Sequence, residues 1–234
     1  MVPVGEKQTV SARWESTATV DAFSTAPPNE VLLRYAQSVL GRGKDVLDIG
    51  CGAARNALPL AQLGFSVVGT DLSAPMVDAA RLRHARTAPQ ANVSFLLAPM
   101  APLPFPNGCF DLVVAHGVWN LARSDAELRH AVQEAARVAR PGAGLFLFTF
   151  SRDTLPIHME PVAGESMTFT QFSGEPMVFM TQAQVFDVMA QAGFFPDPPG
   201  PLTEYNQPLV GTAPQGPVIF EGTFVRRHAE AGQP

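Results

Sequence analysis

The sequence predicts an α/β fold: a doubly wound, mostly parallel seven-stranded sheet with helices on both faces and an antiparallel edge strand. Three observations predict it. Short apolar runs such as "DVLDI", "VSFLL" and "GLFLFTF" alternate with capped helical patterns, and continuous apolar strands of that kind are buried on both faces. The late strands are not separated by a regular crossover helix, which points to an antiparallel edge. At 234 residues, with 46% hydrophobic residues, the chain has the size and composition of one ordinary globular domain, 1–234.

Residues 1–26 are weakly periodic. Trp14, Val20 and Phe23 fall on one face of a short helix, and the segment reads as an N-terminal lid. Val31, Leu32, Tyr35, Val39 and Leu40 recur at helical spacing, with Gly41 as the stop. "DVLDI" is a strand. "RNALPLAQL" reads as a helix closed by Gly64, although Pro59 is comfortable only near a helix start, so this helix begins late or bends. "SVVGT" is a strand, and "SAPMVDAARLRHAR" is a helix capped by Ser73 with Pro75 in its first turn. "VSFLL" and "FDLVVAH" are strands. "SDAELRHAVQEAARVAR" is a helix with a capping box, Ser124 and Glu127, stopped at Pro141-Gly142. "GLFLFTF" is a strand, "TQAQVFDVMAQAG" a helix capped by Thr181 with Gln184, and "VIFEGTFVRR" a final long strand.

Two stretches break this rhythm. Residues 151–180 carry Met159, Met167, Phe169, Phe172, Met177, Phe179 and Met180, and read as an insertion that covers an apolar substrate pocket. Residues 196–217 are proline-rich and read as an ordered surface loop, and the last residues, "AEAGQP", as frayed.

The net charge is −5, and Lys7 and Lys44 are the only lysines. With no basic run to track a phosphate backbone, nucleic acid is not an expected partner. No apolar stretch is long enough to span a bilayer and the first ten residues lack a signal-peptide core, so no membrane association and a cytoplasmic location are expected. Cys51 and Cys109 form no disulfide framework, and the five histidines lack metal-ligand spacing, so no metal is expected.

The chemistry concentrates in "VLDIGCGAARNALPL". Asp48 ends a buried strand, where an ionised carboxylate is costly unless something uses it. Gly50 and Gly52 follow, as they would where backbone is pressed against a ligand at a helix start. The next strand ends in Asp71, at the distance where an acid accepts hydrogen bonds from ribose hydroxyls. Residues 48–71 therefore predict a nucleoside-bearing cofactor. It is not a dinucleotide: the third glycine of G-x-G-x-x-G is replaced by Arg55, and Asp48 would repel a pyrophosphate. A nicotinamide dehydrogenase is disfavoured on both counts.

Over roughly residues 27–226 the chain resembles the class I S-adenosylmethionine-dependent methyltransferases, in its small-molecule branch. "VLDIGCGAA" resembles the family's first motif, "VVGTDLS" its second, "LPFPNGCFDLVVAHGVWNL" the approach to the fourth strand, and "RVARPGAGLFLF" the turn into the fifth. The resemblance implies S-adenosylmethionine as cofactor and S-adenosylhomocysteine as product. It implies that Gly50, Cys51 and Gly52 meet the methionine part through their backbone, and Asp48 its amino group. Asp71 would hold the ribose, Leu72 the adenine face, Met100 and Ala101 the adenine edge, and His116 with Gly117 would face the sulfonium. Two positions depart from the pattern. Ala54 stands where the family usually has glycine. Pro99 stands where many relatives have an acid bonded to the adenine amino group, leaving a backbone carbonyl or Asn92 to substitute.

Methyl transfer from a sulfonium needs mainly orientation and desolvation, with a base where the acceptor is a hydroxyl or thiol. His116 is the candidate catalytic base; the competing reading is a half-buried histidine bonded to backbone. Trp119 and Asn120 are candidate substrate-binding residues, against packing for Trp119 and helix capping for Asn120. His158 and Glu160, and the trio Glu204, Tyr205 and Asn206, are weaker candidates for substrate contact. Arg13 and Trp14 could close over the methionine carboxylate, against ordinary surface placement, which is the favoured reading. Cys51 is a small residue in a tight turn and Cys109 a buried one. The predicted activity is methylation of an O, N or S atom of a small molecule; the alternative is a methyltransferase-like nucleoside-binding protein without turnover.

Overall fold

The computed structural model describes residues 14–198, 202–207 and 216–227. The elements run in the order α1 (Thr17–Thr25), α2 (Glu30–Val39), β1 (Asp45–Ile49), α3 (Ala57–Gln62), β2 (Ser66–Asp71) and α4 (Ala74–Thr87). Then come β3 (Val93–Leu97), β4 (Phe110–His116), α5 (Asp125–Val138) and β5 (Ala139–Phe150). The remainder is β6 (Thr168–Phe169), β7 (Met177–Val178), α6 (Gln182–Gln191), β8 (Phe194–Pro196), β9 (Thr203–Tyr205) and β10 (Ile219–Arg226). Among the described residues the main sheet has the order β3-β2-β1-β4-β5-β10-β8, with β9 also paired to β10. β6 and β7 form a separate two-stranded sheet.

The strands from β3 to β5 are parallel, and β10 runs antiparallel between β5 and β8. The antiparallel strand, expected at the edge, lies one place in from it because β8 and β9 pair along its outer side. Strand order reverses between β2-β1 and β1-β4, so the ligand crevice of an open α/β sheet falls at the carboxyl ends of β1 and β4.

Helices cover both faces. One core packs α2, α3 and α4 residues such as Leu32, Leu60 and Val77 against Val46, Val114 and Phe146. The other packs α5 and α6 residues such as Leu128, Val132 and Val188 against Leu47, Val113 and Leu145. Caps sit where the sequence predicts them. Ser73 Oγ accepts from Met76 N, and Thr181 and Gln184 close a reciprocal capping box, each such cap being worth about 1 kcal/mol.

Two boundaries differ from expectation. α3 starts only at Ala57, which leaves Pro59 in the first turn, where its missing N–H has no helical partner to lose. α5 ends at Val138, before Pro141-Gly142. Ala139 already pairs with Phe110, and a register shift lets β5 bulge before Gly144 meets Leu112. Within the Phe/Met-rich insertion Met167, Phe169, Met177, Phe179 and Met180 are buried, and Phe172 is exposed. Apolar side chains at that density find one another, and β6–β7 is the scaffold they pack on. Of the proline-rich stretch, residues 199–201 and 208–215 lie outside the described residues, as do 1–13 and "AEAGQP".

A buried polar lock fixes α2. Tyr35 donates to Asp197 Oδ2 at 2.8 Å, and Arg42 grips both oxygens of Asp197 at 2.6 and 3.1 Å. Thr223 on β10 donates to the Asp197 carbonyl. The lock joins the far end of α2 to the β8–β10 side of the sheet, and α2's other end enters the site.

Candidate functional site

The turn after β1 is built from left-handed backbone. Gly50 has φ +68° and Gly52 φ +52°. At Gly50 a β-carbon would also run into Val118 at 2.7 Å. Ala54 adopts φ +63° as well. Its departure from glycine therefore strains the backbone rather than crowding a helix against a strand, at about 1 kcal/mol. Asp71, at the tip of β2, holds this turn: Oδ2 accepts from Gly52 N and Oδ1 from Ser73 N, both at 2.9 Å. Leu72 beside it is 73% exposed, an apolar side chain left open at the crevice. Met100 and Ala101 are half-buried on the neighbouring loop. Asn92 sits at the amino end of β3, the wrong end of the sheet, and cannot replace the acid missing at Pro99.

Asp48 is 1% exposed, and its Oδ2 has no hydrogen-bond partner. Burial, reinforced by the charge of Asp71 and opposed by Arg55, pushes its carboxyl up to about 7. Asp71 is also raised, by burial, against the backbone N–H groups that favour its charge. The Cys51 thiol is pushed well up by burial and by both carboxylates, so Cys51 is no nucleophile. Cys109 is half-buried rather than buried.

His116 ends β4 with its ring stacked on Phe148, centroids 4.3 Å apart. Its Nε2 lies 3.0 Å from Arg55 Nη2 and 3.1 Å from Asn29 Nδ2. Both neighbours can only donate, so Nε2 accepts and the ring proton is on Nδ1. Burial, then the Arg55 charge, pulls the histidine down to about 3. In this arrangement the Nε2 lone pair is already held by a guanidinium, which weighs against a catalytic-base role for His116.

For Trp119 and Asn120 the contacts favour the packing alternative. They lie in a 3-10 turn, Trp119–Leu121, that packs against β7. Trp119 is fully enclosed in the α5–α6 core, and Asn120 is 2% exposed with an unpartnered Oδ1. His158 and Glu160 are exposed. Glu204 accepts from Ser151 and from Gln207, and Asn206 donates to the Pro217 carbonyl, so this polar group is held locally. Arg13 lies outside the described residues. Trp14 accepts from Ser73 Oγ through its carbonyl and stacks edge-on against Phe23, whose ring is 3.4 Å from where a Gly52 β-carbon would stand. α1 thus covers the glycine turn.

Sequence reasoning missed a cluster. Gly50, His116, Phe148 and Glu221 align across the sheet, because Phe148 pairs with both His116 and Glu221 and the chain continues from Ile49, opposite Ala115. Glu221 is 7% exposed and accepts from Asn29 Nδ2 at 2.5 Å. Asn29 also caps α2 through Oδ1 and donates its own N–H to Asn56 Oδ1. Burial pulls the Arg55 guanidinium down, and the charges of Asp48 and Glu221 oppose it. The available signal was a single acid inside the apolar run "VIFEGTFV".

Residues 46–142 match the methyltransferase domain family. The O-methyltransferase resE of Aspergillus sclerotiorum is 30% identical over 136 residues, 56% of this chain and 49% of that protein. The O-methyltransferase cnsE of Penicillium expansum is 29% identical over 185 residues, 77% of this chain and 63% of that one. The chain spans about half the length of the curated relatives it matches. The fold is shared with an S-adenosylmethionine-dependent methyltransferase of Methanosarcina mazei at TM-score 0.69 and 20% identity, covering 86% of this chain and 99% of that one. A glycine turn between two strand-tip acids stands at the switch point of a Rossmann-like sheet. Residues 46–142 thus carry a match to the methyltransferase domain, on a fold shared with solved S-adenosylmethionine-dependent methyltransferases.

Proposed function

We propose that this chain transfers a methyl group from S-adenosylmethionine to a nucleophilic O, N or S atom of a small molecule. The observation that carries the reading is Asp48: a buried carboxylate with a free oxygen, beside a turn shaped by Gly50 and Gly52. An ammonium group there would satisfy an oxygen that nothing else satisfies. Asp71 receives the ribose hydroxyls, since each of its oxygens keeps a lone pair after taking one N–H. Cys51 contributes backbone only. Leu72 packs on the adenine face, and Met100 and Ala101 flank its edge. The His116–Gly117 loop faces the sulfonium, and α1 and the 151–180 insertion close the crevice over cofactor and acceptor.

With His116 engaged, the chain contributes orientation and exclusion of water rather than a histidine base. The names of resE and cnsE put oxygen first among acceptor atoms. Titration calorimetry with S-adenosylmethionine and S-adenosylhomocysteine, joined to a homocysteine-release assay over pooled phenols, amines and thiols, tests the reading. Binding with release supports it. Binding without release from any pool favours a nucleoside-binding protein without turnover, and absence of binding refutes both.

A further inference from the structure

The Phe/Met-rich insertion is clasped to the first residue of α5. Both oxygens of Asp125 are taken up by one short segment. Oδ2 accepts from Ser166 N at 2.8 Å and from Ser166 Oγ at 2.6 Å. Oδ1 accepts from Met167 N at 3.1 Å and from Thr168 Oγ1 at 2.8 Å. The clasp is reciprocal, since Asp125 donates its own N–H to Glu165 Oε2 at 2.7 Å. Gln184, in the capping box of α6, adds a bond from its Nε2 to the Ser166 carbonyl at 3.3 Å. Hydrogen bonds to an ionised acceptor are the strong ones, and a carboxylate in the first turn also sits at the positive end of its helix. The helix itself does not require them, because Ser124 already caps α5.

The clasp joins two segments at the carboxyl ends of the strands. From His116 the chain runs through the 3-10 turn Trp119–Leu121 to Ser124 and Asp125. The segment that Asp125 holds leads into the β6–β7 hairpin. Met167 and Val178 of that hairpin region share a core with Trp119. Phe169, Met177 and Phe179 pack instead with Leu121 of the turn and with Phe150, the last residue of β5. Met180 N donates to the Phe150 carbonyl at 3.2 Å. The insertion therefore stands on the loop after β4, at the same end of the parallel strands as the glycine turn. We infer that Asp125 is a positioning residue for the methyl acceptor: it locks the insertion onto the loop after β4, so that the apolar wall of Leu121, Phe150 and Phe179 keeps one shape against the acceptor. This rests on the proposed methyl-transfer reading. The cofactor turn is braced separately, by Asp71 on Gly52 and Ser73.

Hydrogen exchange and steady-state kinetics on the full chain test the inference with two variants. Asp125→Ala removes the clasp, and Ser166→Ala removes one exposed hydroxyl donor from it. In Asp125→Ala the amides of residues 162–180 should exchange about 10-fold faster or more, the scale of lost bonds to a charged group. Those of residues 45–52 and 66–73 should not change. The affinity for S-adenosylhomocysteine should stay within about twofold of wild type by calorimetry. The acceptor probe is the most active member of the phenol, amine and thiol pools. Its KM should rise about 10-fold or more while kcat falls by less than about threefold, a split that general loosening of the fold would not produce. Asp125→Asn, which keeps one acceptor oxygen, should restore part of both readouts. Ser166→Ala should move both in the same direction by less, and it carries the test if Asp125→Ala does not fold. Unchanged exchange in residues 162–180 overturns the clasp. Faster exchange with an unchanged acceptor KM overturns the positioning role, and so does a loss confined to kcat or shared by the cofactor. A wild type that releases no homocysteine from any pool would instead strike the methyl-transfer reading, and the exchange measurement alone would then decide the clasp.

Discussion

Lowering the pH should weaken S-adenosylhomocysteine binding through one residue, Asp48. In the free protein its carboxyl is raised to about 7, first by burial and then by Asp71. An ammonium group placed at its free oxygen favours the ionised form, so the bound state holds Asp48 charged. With a free-state value near 7, about nine-tenths of the sites are ionised at pH 8 and about one-tenth at pH 6. The dissociation constant should therefore rise about tenfold between those two pH values, or about 1.4 kcal/mol. Binding at pH 6 should release close to one proton. His116 does not interfere, since it is held near 3 and stays neutral throughout this window. Calorimetry in two buffers of different ionisation enthalpy measures both the affinity and the proton count. Asp48→Asn should bind weakly and with no slope. A flat wild-type profile, or proton uptake on binding, would refute the assignment of Asp48 to the amino group.

Further outcomes are open to measurement. Asp71→Ala should weaken S-adenosylhomocysteine binding by roughly 1–3 kcal/mol, because the ribose acceptor and the brace on Gly52 and Ser73 go together; unchanged calorimetric affinity would count against the ribose role. Ala54→Gly should raise unfolding free energy by up to about 1 kcal/mol in urea titrations, by releasing the left-handed strain at φ +63°. Asp197→Ala should cost roughly 1–3 kcal/mol of stability, since Tyr35 and Arg42 lose their shared acceptor. Asp48 should also tie the free protein's stability to pH. Its folded-state value lies above the unfolded one, so the contribution is complete below about pH 4 and is lost as pH rises through about 7. Asp48→Asn should accordingly raise the melting temperature at pH 8 and leave it nearly unchanged at pH 4.

The central strands were legible because each is a continuous apolar run closed by a polar tip, and the cofactor turn because acid and glycines are local in sequence. Helix starts at Ser73, Ser124 and Thr181 were legible for the same reason: a cap is a contact between near neighbours. What escaped was non-local. Glu221 reaches the site only because β10 pairs with β5 in a register that sets Glu221 opposite Phe148. Asn29 looked like a helix cap, and it is one, but its amide also spans from His116 to Glu221. The strand end that carries His116 was legible but its ring contact was not, because Arg55 lies 61 positions away in the chain. Trp119 was weighed both as a pocket residue and as packing; that β7 and the α5–α6 core enclose it depends on how the insertion folds back.

The position of β10 ties assembly of the crevice to the order of synthesis. A ribosome delivers β5 well before β10, so for that interval the growing chain carries an unpaired strand edge. During that time Asn29 has no carboxylate to bond, and Thr223 is absent from the brace on Asp197. A nascent chain can therefore raise its first five strands early, yet the polar row behind the glycine turn closes only when residues 219–226 slide in between β5 and β8.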